Sequence, residues 1–331
     1  MKVLFQCEQL NYRGTTNSIL DYAHYNQEIL GNESVIVYSA KDPAGVDTGS
    51  SPEVVETFKN KFRVLTYDSH DHLNDIASKF DICYSQRAGL KQNMHSGEML
   101  PIINTTKFGV HSVFQWYDPH GDVYSYISEW LSDTIKGHYE LNSPPPFVPY
   151  IVDLPKPNYD VRAHLGIPKD KLVIGRHGGF NTFDIEFVHK TVQRVAEERK
   201  DIVFLFVNTA RFCDQPNVLF LSPFFGQQQK SNFINACDAM LHGRTLGESF
   251  GLSIAESLFF DKPVLSWNGG YDRNHVKMLQ SHDLLYGDGE TEVYNKILGL
   301  RDLPLQNYKK IVEQFNPVNV MNKFNEVFLN A

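Results

Sequence analysis

DAMLHGRTLGESFGLSIAESLFFDKPVLSW, residues 238–267, carries the most information in this 331-residue chain. It opens on an apolar run ending at His242 and passes through a turn containing Gly243, Gly247 and Gly251. A helical stretch, SIAESLFF, follows, and the segment closes on a second apolar run, KPVLSW. Strand, turn, helix, strand is the repeating unit of a parallel sheet, and such sheets bind ligands beyond the carboxyl ends of their strands. The helix is expected to begin near Ser249, pointing its free N–H groups into that crevice as an anion site. Arg244 adds a cation able to make two parallel hydrogen bonds. Glu248 stands at the helix start and Glu256 lies two turns further on. Carboxylates beside an anion site suit hydrogen bonding to sugar hydroxyls, although a glutamate at a helix start also serves as a dipole or capping choice.

The same grammar runs through the rest of the chain. KVLFQ reads as a strand, SILDYAHYNQEIL as a helix and SVIVYS as a second strand, which is the first unit of a doubly wound sheet. FDICYSQ, TKFGVHSVF and DVYSYIS read as further strands, with Ser69 and Ser128 as helix N-caps. The stretch NSPPPFVPYIVDLPKPN, residues 142–158, holds six of the 16 prolines and continues neither a helix nor a ladder. It marks a hinge between two Rossmann-like α/β domains, residues 1–150 and residues from 151 onward. Beyond it KLVIG, DIVFLFVN, VLFLSPF, CDAMLHG and KPVLSW read as strands separated by helical segments. The turns after strands are therefore where chemistry is sought, chiefly residues 9–16, 176–184 and 244–251.

Composition narrows the function. Lys plus Arg number 31 against 39 Asp plus Glu, a net charge of -8, which lacks the basic footprint of a nucleic-acid binder. The four cysteines form no C-x-x-C pair and read as free thiols in a reducing compartment. MKVLFQCEQL does not read as a secretory leader, and no apolar stretch approaches the ~18 residues of a membrane span. The expected location is the cytoplasm. No D-x-D, G-x-G-x-x-G or G-x4-G-K-[ST] occurs, which argues against a metal-dependent GT-A arrangement, a dinucleotide oxidoreductase and a P-loop kinase. His70-Asp71-His72 reads as an exposed helix start rather than a metal site.

GESFGLSIAES, set between DAMLHGR and KPVLSW, resembles the E-x7-E signature of retaining nucleotide-sugar glycosyltransferases of the GT-B fold, family 4 type. The resemblance covers the C-terminal half in order and the N-terminal half more loosely. It implies two Rossmann-like domains facing each other across a cleft. Residues 1–150 would be the acceptor side and 151–315 the donor side, with a terminal helix, 316–331, crossing back to the first domain. It further implies that Glu248 meets the donor sugar, that Glu256 binds the ribose hydroxyls, and that the backbone of Ser249, Phe250, Gly251 and Leu252 cradles the diphosphate.

The family carries an arginine after the preceding strand and a lysine six residues later. Arg176 matches the arginine, whereas the lysine position holds Thr182, so Arg244 is expected to supply the second charge. Gly14 and Thr15 match the N-terminal glycine loop that approaches the donor phosphates, with one glycine in place of an adjacent pair. His111 matches an active-site histidine at a strand end. Arg87 and His120 are further candidates on the acceptor side. The implied reaction moves a sugar from a nucleoside diphosphate sugar to a hydroxyl of a glycan, lipid-linked or protein acceptor, with retention and without a metal. Glu248, His111, Arg176 and Arg244 would carry the catalysis. A sugar-nucleotide epimerase on the same fold, and a nucleotide-sugar-binding protein without catalysis, are the competing readings.

Overall fold

The computed structural model describes residues 1–39, 49–94, 97–280, 282–304 and 306–330. The chain divides into two compact units, Met1–Ile151 together with Phe315–Ala331, and Val152–Gln314. The division falls inside the proline-rich stretch 142–158.

The first unit contains, in order, β1 (Lys2–Cys7), α1 (Gly14–Glu28), β2 (Glu33–Ser39), α2 (Pro52–Lys59), β3 (Arg63–Tyr67), α3 (His70–Ala77), β4 (Ile82–Arg87), β5 (Lys107–Ser112), β6 (Val123–Tyr126) and α4 (Glu129–His138). Its strands form one parallel sheet in the order β3-β2-β1-β4-β5-β6. The chain winds outward from β1 and then returns to its other side, so the winding reverses between β1 and β4. Ser69 and Ser128 cap α3 and α4, accepting from the backbone N–H of His72 and Leu131. Helix α1 opens at Gly14, four residues before the apolar periodicity begins, because the extended Arg13 already feeds the chain into the helix. Helix α2 has a weak sequence signal. It starts on a proline and buries only Val54, Val55 and Phe58.

The second unit contains α5 (Val161–His164), β7 (Leu172–Arg176), α6 (Glu186–Glu198), β8 (Ile202–Val207), β9 (Val218–Leu221), α7 (Gln227–Ala236), β10 (Ala239–His242), β11 (Gly247–Glu248), α8 (Leu252–Phe259), β12 (Val264–Trp267), β13 (Asp272–Arg273), α9 (Asn274–Leu279), β14 (Leu285–Tyr286), α10 (Glu290–Leu298) and α11 (Lys309–Val312). Its main sheet is parallel in the order β14-β12-β10-β7-β8-β9, reversing between β7 and β10. All six residues of β8, IVFLFV, are buried, as expected of a strand covered on both faces. A short parallel bridge joins β11 to β13, pairing Gly247 with Asp272 and Glu248 with Arg273.

One boundary expectation is corrected. Helix α8 opens at Leu252 rather than near Ser249, because Gly251 takes a left-handed conformation (φ 88°, ψ 53°) and the preceding residues are drawn into the bridge with β13.

The chain ends in α12 (Pro317–Phe324), which runs into a π-turn over Asn325–Leu329 and belongs to the first unit. The Phe324 ring stacks on Tyr22 at 5.2 Å, and Phe328 meets Tyr84 edge-on at 5.0 Å. Gly109 makes room for this segment in the middle of β5, since a Cβ there would lie 2.8 Å from the Phe328 ring. Ala331, the last residue of the terminal segment, lies outside the described residues. Among the described residues no helix is long and apolar enough to cross a membrane.

Candidate active site

In the second unit the crevice beyond β7 and β10 is lined by the turns 176–184 and 243–251. Glu248 is the most constrained charge there. Its Oε1 accepts from His242 Nε2 at 3.0 Å and its Oε2 from Arg244 Nη1 at 3.1 Å. Burial alone would raise this carboxyl, but Arg244 and His242 outweigh burial and hold it at about 2. Glu248 is therefore a carboxylate at neutral pH, with the remaining lone pairs of each oxygen open to hydroxyl donors.

The frame around Glu248 is braced by a second histidine. His275 Nε2 lies 2.9 Å from the Trp267 carbonyl, which can only accept, so this nitrogen carries the proton. Its Nδ1 then accepts from the backbone N–H of Glu248 at 3.3 Å. The bond accepted at Nδ1 requires a neutral ring, in keeping with burial lowering His275 to about 4. His242 Nδ1 is anchored on Ser266 Oγ at 2.8 Å. Asn274 donates to the Phe250 carbonyl at 2.7 Å and pins the approach to α8. No side chain caps α8, so the N–H groups of its first turn remain available to an anion.

Arg176, at the end of β7, is held by five acceptors of the protein itself. Its Nη1 donates to the carbonyls of Val207 (3.1 Å) and Asn208 (2.7 Å) and to Thr209 Oγ1 (2.8 Å). Its Nη2 donates to the Gly179 carbonyl and to Thr182 Oγ1, both at 2.7 Å. The guanidinium thus ties the Gly178–Gly179 turn to the loop after β8, and Thr182 serves it as an acceptor. Burial draws Arg176 down to about 10, which leaves it charged at neutral pH. Arg244 engages Glu248 through Nη1 alone among the described residues, and its side chain is about one-fifth exposed (18%).

Glu256 lies one turn into α8 within a separate cluster. Its Oε1 is in contact with Lys230 Nζ from α7, and its Oε2 lies 3.7 Å from His177 Nδ1. Burial pushes the Glu256 carboxyl up while the ammonium opposes it. Burial, with the nearby Lys230 and Arg176 charges, holds His177 down to about 3 and hence neutral. Lys230, His177, His242 and His275 escaped sequence reasoning. His242 lies inside the decisive segment, whereas Lys230 sits 26 residues before Glu256 without any local signal.

Other expected residues lie in the first unit. His111 is fully buried among Tyr22, Tyr84, Tyr150 and Phe328, with Nδ1 2.6 Å from the Tyr84 hydroxyl. Burial lowers it to about 4. This enclosure makes it a core residue of β5 with no face toward solvent. Gly14 starts α1 with open space where a Cβ would point, so no close approach demands a glycine there. Thr15 follows it in the first turn, and its carbonyl accepts from Ser18 Oγ. Arg87 and His120 meet at 3.3 Å, with Arg87 also donating to the Pro101 carbonyl.

A pH dependence follows. His177, His275 and His111 take protons at about 3, 4 and 4 in the folded chain, against 6.5 for an ordinary histidine. The unfolded chain binds these protons first as pH falls below about 6.5, so stability drops from there toward pH 4. Each group contributes on the order of 1 kcal/mol per pH unit across its window. Glu248 extends the loss below its ordinary 4.5 toward 2. Urea unfolding followed between pH 8 and 4 is expected to show this decline. A flat profile from pH 7 to 5 would contradict the buried neutral histidines.

Among the described residues no group of three or more His, Cys, Asp or Glu side chains is arranged to hold a metal. Neither a protein-family model nor a curated protein matches the chain. Solved structures do. The chain is similar to Alr3699/HepE of Anabaena, crystallised in complex with UDP-glucose, with 13% identity, a TM-score of 0.73 and 100% of both chains covered. It is also similar to a sucrose-phosphate synthase of Thermosynechococcus elongatus (12% identity, TM-score 0.67, 100% of both chains). A glycosyltransferase of Rickettsia africae gives 12% identity and a TM-score of 0.68 over 99% of this chain and 98% of that one. The shared feature is the fold. Two parallel sheets flanked by helices form the α/β Rossmann-like pair of GT-B-type proteins.

Proposed function

We propose that this chain is a retaining, metal-independent glycosyltransferase that moves a sugar from a nucleoside diphosphate sugar to an acceptor hydroxyl. The observation that carries the reading is Glu248. It is a carboxylate fixed by His242 and Arg244 at the point where the second sheet reverses, beside the uncapped start of α8. In this reading Glu248 accepts hydrogen bonds from the donor sugar, and the diphosphate lies on the N–H groups following Gly251. Arg244 and the helix start stabilise the charge that develops on the leaving phosphate. Arg176 acts as a positioning residue that fixes the Gly178–Gly179 turn. The acceptor hydroxyl attacks from the face the phosphate leaves and passes it its proton, so no enzymic nucleophile is needed. The first unit is assigned the acceptor. The four buried free cysteines favour a reducing, cytoplasmic setting.

UDP-glucose is the first probe, because the Anabaena protein was crystallised with it. A thermal-shift titration would compare UDP, GDP, ADP and their sugar conjugates on wild type and Glu256→Ala. A ligand at 100 times its dissociation constant adds about 2.7 kcal/mol, a readable shift. One nucleoside diphosphate is expected to stabilise wild type and to do so less in the variant. No shift with any of them would overturn the reading. Turnover of the donor without an acceptor would instead indicate an epimerase.

A further inference from the structure

We propose that a cavity at the amino ends of the first three strands binds a phosphate monoester. It lies in the first unit, at the end of the sheet opposite the carboxyl-end turns, and it owes nothing to the donor site, which belongs to the second unit.

Lys2, Glu33 and Arg63 are the first residues of β1, β2 and β3. Lys2 stands opposite Glu33, and Arg63 opposite Val35, so all three share the sheet face of Leu4, Val35 and Leu65. Helix α3 covers that face, and its Leu73 and Ile76 share one core cluster with Leu4 and Val35. A helix that connects parallel strands ends near the amino end of the sheet, so Lys79, two residues beyond α3, comes to the same margin. Between these residues lies a cavity of about 470 Å³. Lys2, Arg63, Lys79 and Glu33 form its charged rim, and Leu65, Ile76 and Phe80 form an apolar wall.

Three cations against one carboxylate is a local excess in a chain whose net charge is -8. Among the described residues Lys2 Nζ, Lys79 Nζ and the Arg63 guanidinium make no hydrogen bond or ion pair. His72, which also lines the cavity, is turned to Asp68 at 3.0 Å. Asp81, beside the rim, accepts from the backbone N–H of Lys2 at 2.7 Å. A cleft lined by one sign of charge focuses its field and concentrates the opposite ion.

A phosphate uses this set more fully than a carboxylate does. The fork of Arg63 matches two phosphate oxygens, and the two ammonium groups act as point charges on the rest. The cavity is larger than a bare phosphate ion, and its apolar wall suits the organic part of an ester.

The test is calorimetric titration of the full chain with phenyl phosphate, inorganic phosphate and phenol. Phenyl phosphate is expected to bind wild type more tightly than either of the others. Arg63→Gln and Lys79→Gln are each expected to weaken it about threefold or more, and Glu33→Gln, which removes the opposing charge, to strengthen it about twofold. All three side chains are exposed, so the variants are expected to fold. Effects of opposite sign separate a bound anion from a general loss of structure. Co-sedimentation with phosphatidylcholine vesicles, with and without phosphatidic acid, distinguishes the source of the phosphate. Binding of phenyl phosphate without vesicle binding assigns a soluble ester. Binding of phosphatidic acid vesicles alone, weakened by the same variants, assigns a lipid headgroup. Binding of neither, or affinities that the three variants leave unchanged, would overturn the proposal. Equal affinity for inorganic phosphate or for phenol would overturn the ester.

Discussion

Replacing Glu248 by Gln is expected to lower turnover by roughly 10²–10³-fold while changing nucleoside diphosphate affinity by less than about twofold. The substitution keeps the size of the side chain and removes its charge. In the wild type that charge is set by Arg244 and His242, which together overcome a burial that would otherwise protonate the carboxyl. A neutral amide would still accept from Arg244, but one of its two oxygens becomes an N–H donor facing His242. The imidazole must then turn or lose its bond, and the sugar hydroxyls meet a weaker acceptor. Affinity for the nucleotide is expected to survive, because Glu256 and the start of α8 are untouched. Steady-state kinetics with UDP-glucose, alongside calorimetry with UDP, separates the two effects. A parallel fall in affinity and turnover would place Glu248 in ground-state binding instead.

Gly247→Ala is expected to destabilise the second unit by about 3 kcal/mol or more and to abolish activity with it. Two independent constraints act on this residue. Its φ of 77° is left-handed, and an added Cβ would fall on the Asp272 carbonyl oxygen across the β11–β13 bridge. The obstruction is backbone, so no side-chain rotation relieves it. Relief on the far side is closed as well, since Gly270 approaches Gly247 so nearly that a Cβ on Gly270 would lie 2.8 Å from the Gly247 backbone. Opening the bridge would pull Glu248 away from the His275 ring that accepts its N–H. Thermal unfolding by circular dichroism is expected to show a fall of roughly 5 °C or more. A melting temperature within about 1 °C of wild type would show that the bridge yields easily.

Much of this protein was legible in the linear order of residues. Alternating apolar runs and amphipathic stretches specify parallel strands with covering helices, because a strand buried on both faces must be continuously apolar and its crossover must hide one face. β8, with IVFLFV wholly buried, is the plainest case. The segment 238–267 likewise announced a turn rich in glycine followed by a helix, since both features are local.

What only the tertiary structure decided is which partners each charge meets. Lys230 reaches Glu256 across 26 residues, and His275 reaches the Glu248 backbone across 27. Pairings between separate elements leave no periodicity to detect. Arg176 illustrates the same point. Its place after β7 suggested a cation for the donor diphosphate, and the fold brings three acceptors to one of its nitrogens. His111 looked like a strand-end histidine, and only the return of the C-terminal segment, with Phe328 beside it, encloses it. Secondary structure follows from short-range sterics and burial period, whereas the charge state of a carboxylate follows from everything within a few ångströms, and that set is assembled only by folding.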